Sequence, residues 1–164
     1  MSIPEQSLEP YVCAAENQQR LAWIGQIELT VILDAAATGG QLTVIQGTAG
    51  RGDASPVHVH SRDDEIFLLR EGAMTVWVGD RRVQLAPGGV GFLPKGIAHA
   101  FRFDAPSEAL IITTPSGQEE FFRAAGWDLS RPVPDGWAIT PDALREAAAG
   151  HGTQVIGPPH GLDD

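Results

Sequence analysis

Short apolar runs, broken every few residues by glycine or proline, restrict this chain to closely spaced antiparallel strands. Nineteen glycines and twelve prolines punctuate the 164 residues, and no sustained helical period begins before residue 117. The runs ELTVIL (28–33), QLTVIQG (41–47), EIFLLR (65–70), AMTVWVG (73–79), RRVQLA (81–86), VGFLP (90–94), HAFRF (99–103) and ALIITT (109–114) are strand-length and rich in β-branched or aromatic side chains. Turn residues at Gly72, Gly79-Asp80, Pro87-Gly88-Gly89 and Pro94-Lys95-Gly96 separate most of them. The pattern predicts an all-β fold: a sandwich, jelly roll or barrel.

After residue 115 the character changes. SGQEEFFRAAG (116–126) and TPDALREAAAG (140–150) carry helix formers and predict two short helices, with Ser116 and Thr140 as expected N-caps. The segment between them is Pro-rich and irregular, and HGTQVIGPP (151–159) reads as an edge strand before a frayed GLDD tail. The expected division is an N-terminal arm (1–27), a β domain (28–115) and a C-terminal helical extension with its tail (116–164).

Composition narrows the function classes. A net charge of −10 repels phosphate backbones and anionic lipid, so neither nucleic acid nor membrane is an expected partner. The single cysteine, Cys13, rules out an intramolecular disulfide and any thiolate cluster for zinc. The N-terminus lacks a basic region followed by an apolar run, and no stretch approaches the roughly 18 apolar residues of a membrane span, so a cytoplasmic protein is expected.

Three of the five histidines lie between residues 58 and 99. In PVHVH, strand alternation points His58 and His60 to one face. Glu65 shares a face with Phe67 and Leu69, and His99 with Phe101 and Phe103, so each polar residue stands in line with core-facing apolar ones. Buried imidazole and carboxylate are costly unless paired or metallated, and a shared cation would compensate them.

The spacing sharpens this. Gly52 is followed by five residues, His58-Val59-His60, four residues, Glu65, six residues and Gly72; after fifteen more, Gly88 is followed by five, then Pro94-Lys95-Gly96, two and His99. This resembles both signature motifs of the cupin superfamily over residues 41–114. The resemblance implies a double-stranded β-helix, or jelly-roll barrel, in which His58, His60, Glu65 and His99 hold one divalent ion: Fe, Mn, Ni, Co, Cu or Zn. It implies turn-shaping roles for Gly52, Gly72, Gly88 and Gly96, and for Pro94 at the entry to the His99 strand. One position departs, because the second motif commonly ends in Asn where this chain has Phe103.

Alternation then places Phe67, Leu69, Phe101 and Phe103 as walls of a substrate pocket, with Arg70 and Arg102 outside. A pocket without a fixed cation disfavours sugar-phosphate ligands and the carboxylates of thiol dioxygenases. It fits an apolar or aromatic small molecule, such as a flavonol or polyketide-like phenol. GQEEFFRAAG resembles the tail of quercetinase-like single-domain cupins, which makes Phe121 and Phe122 candidate lid residues or plain anchors of their helix. The four tryptophans read as core or interface. Three functions follow. The leading one is a quercetinase-like dioxygenase that uses dioxygen, with Glu65 as catalytic base; the second is a non-redox polyketide cyclase or isomerase with the same residues; the third is a metal- or small-molecule-binding cupin without catalysis. A homodimer is expected, with LAWIGQIELTVIL reaching across to a neighbour's sheet.

Overall fold

Each expected strand forms within two residues of its expected ends in the computed structural model, which describes residues 8–164. In chain order a 3-10 turn at Ala15–Asn17 precedes β1 (Gln19–Ala22), β2 (Glu28–Leu33), α1 (Ala35–Thr38), β3 (Thr43–Ala49), β4 (Val57–His60), β5 (Asp64–Glu71), β6 (Met74–Val78) and β7 (Arg81–Leu85). Then follow β8 (Val90–Leu93), β9 (His99–Phe103), β10 (Ser107–Thr114), α2 (Gln118–Ala125), β11 (Trp127–Asp128), α3 (Pro141–Gly150) and β12 (Thr153–Gly157). Two antiparallel sheets result, ordered β11-β1-β2-β3-β10-β5-β8 and β12-β4-β9-β6-β7. They face each other as a jelly-roll barrel.

Alternation decides what fills the space between them. Phe67 and Leu69 of β5 and Met74 of β6 are completely buried, with Leu29, Ile45, Ala109 and Ile111 beside them. Each large apolar side chain so buried contributes about 1.5–3 kcal/mol relative to exposure. Tight turns hold the strands in register. Gly72 has φ 88°, and a Cβ there would stand 2.4 Å from the Pro106 carbonyl oxygen, so only glycine fits.

The ends of the chain are more integrated than expected. Residues 1–7 of the expected arm (1–27) lie outside the described residues; within 19–27, β1 pairs with β2 on one side and β11 on the other, so LAWIG joins the sheet of its own chain. At the other end, β12 pairs with β4 as an edge of the second sheet. The tail is not frayed either. His160 stacks on Trp77 at 4.0 Å, Arg102 Nη1 donates to the Gly161 carbonyl, and Arg82 Nη2 donates to that of Asp164 at 2.9 Å. Arg102 does point out of the barrel, yet the tail leaves it only 4% exposed.

Thr140 caps α3 as expected, accepting from the Ala143 N–H. Ser116 does not cap α2. Gly117 occupies the cap position, and a buried carboxylate takes over: Glu119 Oε2 accepts from the Gly117 N–H at 2.8 Å and from Thr43 Oγ1, while Oε1 accepts from the Ala35 N–H at 2.8 Å. One side chain therefore binds α2 to β3 and α1. Removing it strands the Ala35 N–H and the Thr43 hydroxyl, each costing about 1–3 kcal/mol, while the Gly117 N–H keeps only its 3.3 Å bond to Thr43 Oγ1. Glu119→Ala should lower stability by at least about 2 kcal/mol, measured by urea unfolding, with α2 loosened from the sheet.

Candidate metal centre

The site is assembled across the barrel rather than within one sheet. β4 turns His58 and His60 inward, and β9 sets His99 directly opposite His58 in register. Glu65 arrives from β5 of the other sheet. One donor atom from each residue lies within 4.8 Å of the others. Glu65 Oε2 stands 2.9 Å from His99 Nε2 and 3.1 Å from His60 Nε2. The turn before His99 is docked on the same strands, since the Gly96 N–H donates to the His60 carbonyl at 2.8 Å and the Lys95 N–H to Asp64 Oδ1 at 2.9 Å.

The outer ring nitrogens orient the imidazoles. Nδ1 of His58 donates to the Pro56 carbonyl at 2.8 Å and Nδ1 of His99 to the Ile97 carbonyl at 3.0 Å, so Nε2 of each points inward. His60 Nδ1 meets Thr153 Oγ1 at 3.0 Å, with Asp63 Oδ2 at 3.8 Å behind it. These contacts test the fit of a cation. His99 spends its one neutral-state proton on a carbonyl, yet its Nε2 faces a carboxylate; a second proton or a positive ion must lie between them. Three inward nitrogens and one carboxylate suit a divalent transition metal. The cluster is a candidate metal site.

Electrostatics agree with that crowding. Burial alone would raise the Glu65 carboxyl, but hydrogen bonds from His60 and His99 more than offset it and hold the group below the usual carboxylate range. Burial also opposes charge on His60, which Glu65 nonetheless raises above its ordinary value. Burial, reinforced by neighbouring His99, pushes His58 down to about 4.

A cavity opens from His58 and Glu65 between α2 and the inner sheet faces, walled by Trp23, Ile111, Phe101, Phe103, Phe121 and Phe122. Trp23 meets Phe121 and Phe122 edge-on at 5.1 and 4.9 Å. Phe101 and Phe103 therefore stand where the sequence places them. Phe67 and Leu69 do not line the cavity: both point inward but are fully buried, with Phe67 packed behind Phe101 at 5.0 Å. Trp23, assigned only to core or interface, is part of the wall. Sequence reasoning also missed Gln118, Ser55 and Thr153, which line the cavity from segments outside the two motifs or between their conspicuous positions. For Thr153 a signal existed, because alternation along TQVIG puts it on one face with Val155.

Residues 45–115 match the family of cupin domains. This segment, which carries His58, His60, Glu65 and His99, is a cupin domain. A quercetin 2,3-dioxygenase from Bacillus subtilis is 30% identical over 118 residues, 71% of this chain and 35% of that protein. The chain thus spans about a third of that relative's length. KdgF from a Halomonas species has the same fold at a TM-score of 0.59 and 19% identity, covering 65% of this chain and 95% of its own. A Streptomyces nucleoside dehydratase, Pac13, matches at 0.54 and 17%, covering 65% and 83%. At such identity these two structures share the fold alone.

The low position of His58 has a sign that can be tested in chelator-treated protein. Between its ordinary value of 6.5 and about 4, the unfolded chain takes a proton that the folded one refuses. Stability then falls as pH drops through that window, by roughly 2–3 kcal/mol, and this contribution is flat above it. His58→Gln should flatten the dependence, read as urea midpoints at pH 7.5 and pH 4.5.

Proposed function

We propose that this cupin is a metal-dependent dioxygenase of the quercetinase-like kind, acting on a flat apolar or aromatic molecule that carries an acidic hydroxyl. The observation that carries the reading is the opening of the His58–Glu65 side of the cluster into a cavity walled by Trp23, Phe101, Phe103, Phe121 and Phe122. The kinship with a quercetin 2,3-dioxygenase over 71% of the chain supports it.

His58, His60, Glu65 and His99 would hold one divalent ion. Such an ion, when bound, supplies positive charge for a substrate oxyanion and access to redox chemistry with dioxygen. The aromatic wall excludes water and orients a planar ring system against the cluster. Glu65 faces both the cavity and the imidazoles, so one carboxylate oxygen can accept the proton of the substrate hydroxyl, which neutralises Glu65 and leaves the negative charge on the substrate oxygen.

The test begins with elemental analysis of protein purified without chelators. Close to one Fe, Mn, Ni, Co, Cu or Zn per chain is expected, and its loss from the His58→Ala/His99→Ala variant. Oxygen uptake with flavonols should accompany turnover, and Glu65→Gln should cut kcat by about 100-fold or more while leaving the fold intact. Turnover that continues under argon would replace this reading with a non-redox cyclase or isomerase using the same residues. Metal without turnover of flavonols or polyketide phenols would leave a binding protein. The described residues contain no helix long and apolar enough to cross a membrane.

We further infer that the chain acts as a homodimer, through a different surface from the one expected. The segment 21–33 is spent within its own sheet, but the outer face of β5, β8 and β10 aligns Ile66 with Phe92 and Ile112, and Leu68 with Val90 and Leu110. Val90 and Phe92 are 61% and 60% exposed on the edge strand β8. A second copy covers such a face by self-complementary apolar contact. Light scattering should give twice the chain mass, and Phe92→Glu should give a monomer; a monomeric wild type would reject the inference.

A further inference from the structure

Four side-chain polar atoms among the described residues are buried without a hydrogen-bond partner: Asp63 Oδ2, Thr113 Oγ1, Gln118 Oε1 and Trp127 Nε1. Of these four residues Gln118 alone lines the cavity beside the cluster. It opens α2 and is only 3% exposed. Folded chains meet nearly all buried polar atoms, so an unmet amide oxygen on a side chain that lines a cavity marks a place for a ligand atom.

The polar side chains nearest the cluster each have a partner within the protein. Ser55 Oγ accepts from the Phe101 N–H at 3.1 Å, and Thr153 Oγ1 is paired with His60 Nδ1 at 3.0 Å. His58 is tied to the Pro56 carbonyl, and Glu65 to His60 and His99. The remaining wall is aromatic and aliphatic. Among the described residues, Gln118 is thus the one side chain of the cavity wall with a buried polar atom left unmet.

We propose that Gln118 determines specificity in this cavity by binding a second hydroxyl of an oxygenated aromatic whose first oxygen is held at the His58–His60–Glu65–His99 cluster. A hydroxyl is the matching group because it both donates and accepts, and so satisfies the carboxamide in either orientation. The ligand class narrows accordingly. A bare aromatic hydrocarbon, or a ring with one oxygen only, leaves the amide unmet; a polyhydroxylated flavonoid or polyketide phenol does not. A site built around a hydroxyl rejects the analogue lacking it more strongly than apolar contacts alone permit. The proposal rests on the aromatic-substrate reading above.

The probes are quercetin and 3-hydroxyflavone, which share the hydroxyl-ketone pair suited to the cluster and differ in the remaining hydroxyls. Affinities are read by calorimetry and tryptophan quenching on metal-loaded protein without oxygen, so that binding is scored apart from turnover. Wild type should bind quercetin about 10-fold more tightly than 3-hydroxyflavone. Gln118→Leu and Gln118→Met should bind the two alike, with metal content unchanged and a Tm equal to or above that of wild type, because an unmet polar atom has been removed. A preference kept in both variants, a wild type with no preference, or a lowered Tm in both variants would each overturn the role of Gln118 while leaving the dioxygenase reading standing. Failure of wild type to bind either flavonol would overturn the aromatic-substrate reading, and this inference with it.

Discussion

A carboxylate and three imidazoles buried between two sheets form the constraint around which the rest of the barrel is arranged. Glu65 comes from one sheet and the histidines from the other, so the sheets must close to a fixed separation for Oε2 to stand 2.9 and 3.1 Å from His99 and His60. Buried charge of this kind is tolerated only when its partners are in place. The carbonyls of Pro56 and Ile97 and the hydroxyl of Thr153 set those partners by fixing the outer nitrogen of each ring. The barrel geometry and the chemistry of the cluster are one requirement.

The same economy governs the cavity. The strands supply Phe101 and Phe103, but the far wall comes from α2 and from Trp23 in the turn between β1 and β2. Glu119 makes that arrangement rigid, since its carboxylate joins the start of α2 to β3 and α1. Arg123 adds a second tie, reaching Asp34 at 2.9 Å and Gln19 at 2.8 Å. What encloses the cavity is therefore built from the ends of the chain. Those ends, on the sequence reading, looked like an arm and an extension.

The cluster was legible because its information is local and repeated: alternation turns His58 and His60 to one face, and the glycine and proline positions around them fix the turns. Phe101 and Phe103 followed from the same alternation. Phe67 and Leu69 show its limit, for a period of two reports which face a side chain takes but not its depth along the barrel. Glu119 was hidden for another reason. An acidic residue in the first turn of a helix is the ordinary complement of the helix dipole at the surface, and nothing local distinguishes it from one buried against another strand.

By itself the sequence determined the central strands and their pattern, the cupin signature, the four candidate ligands and the absence of a thiolate site. Each depends on residues close in the chain or on spacing within two motifs. Only the tertiary structure decided that Trp23, Gln118, Phe121 and Thr153 share one cavity with Glu65, and that the tail seals Arg102 and Trp77. These contacts join segments more than thirty residues apart. Pairing of that range is set by how the sheets close and what the closure leaves uncovered, a property of the whole packed chain that no local period encodes.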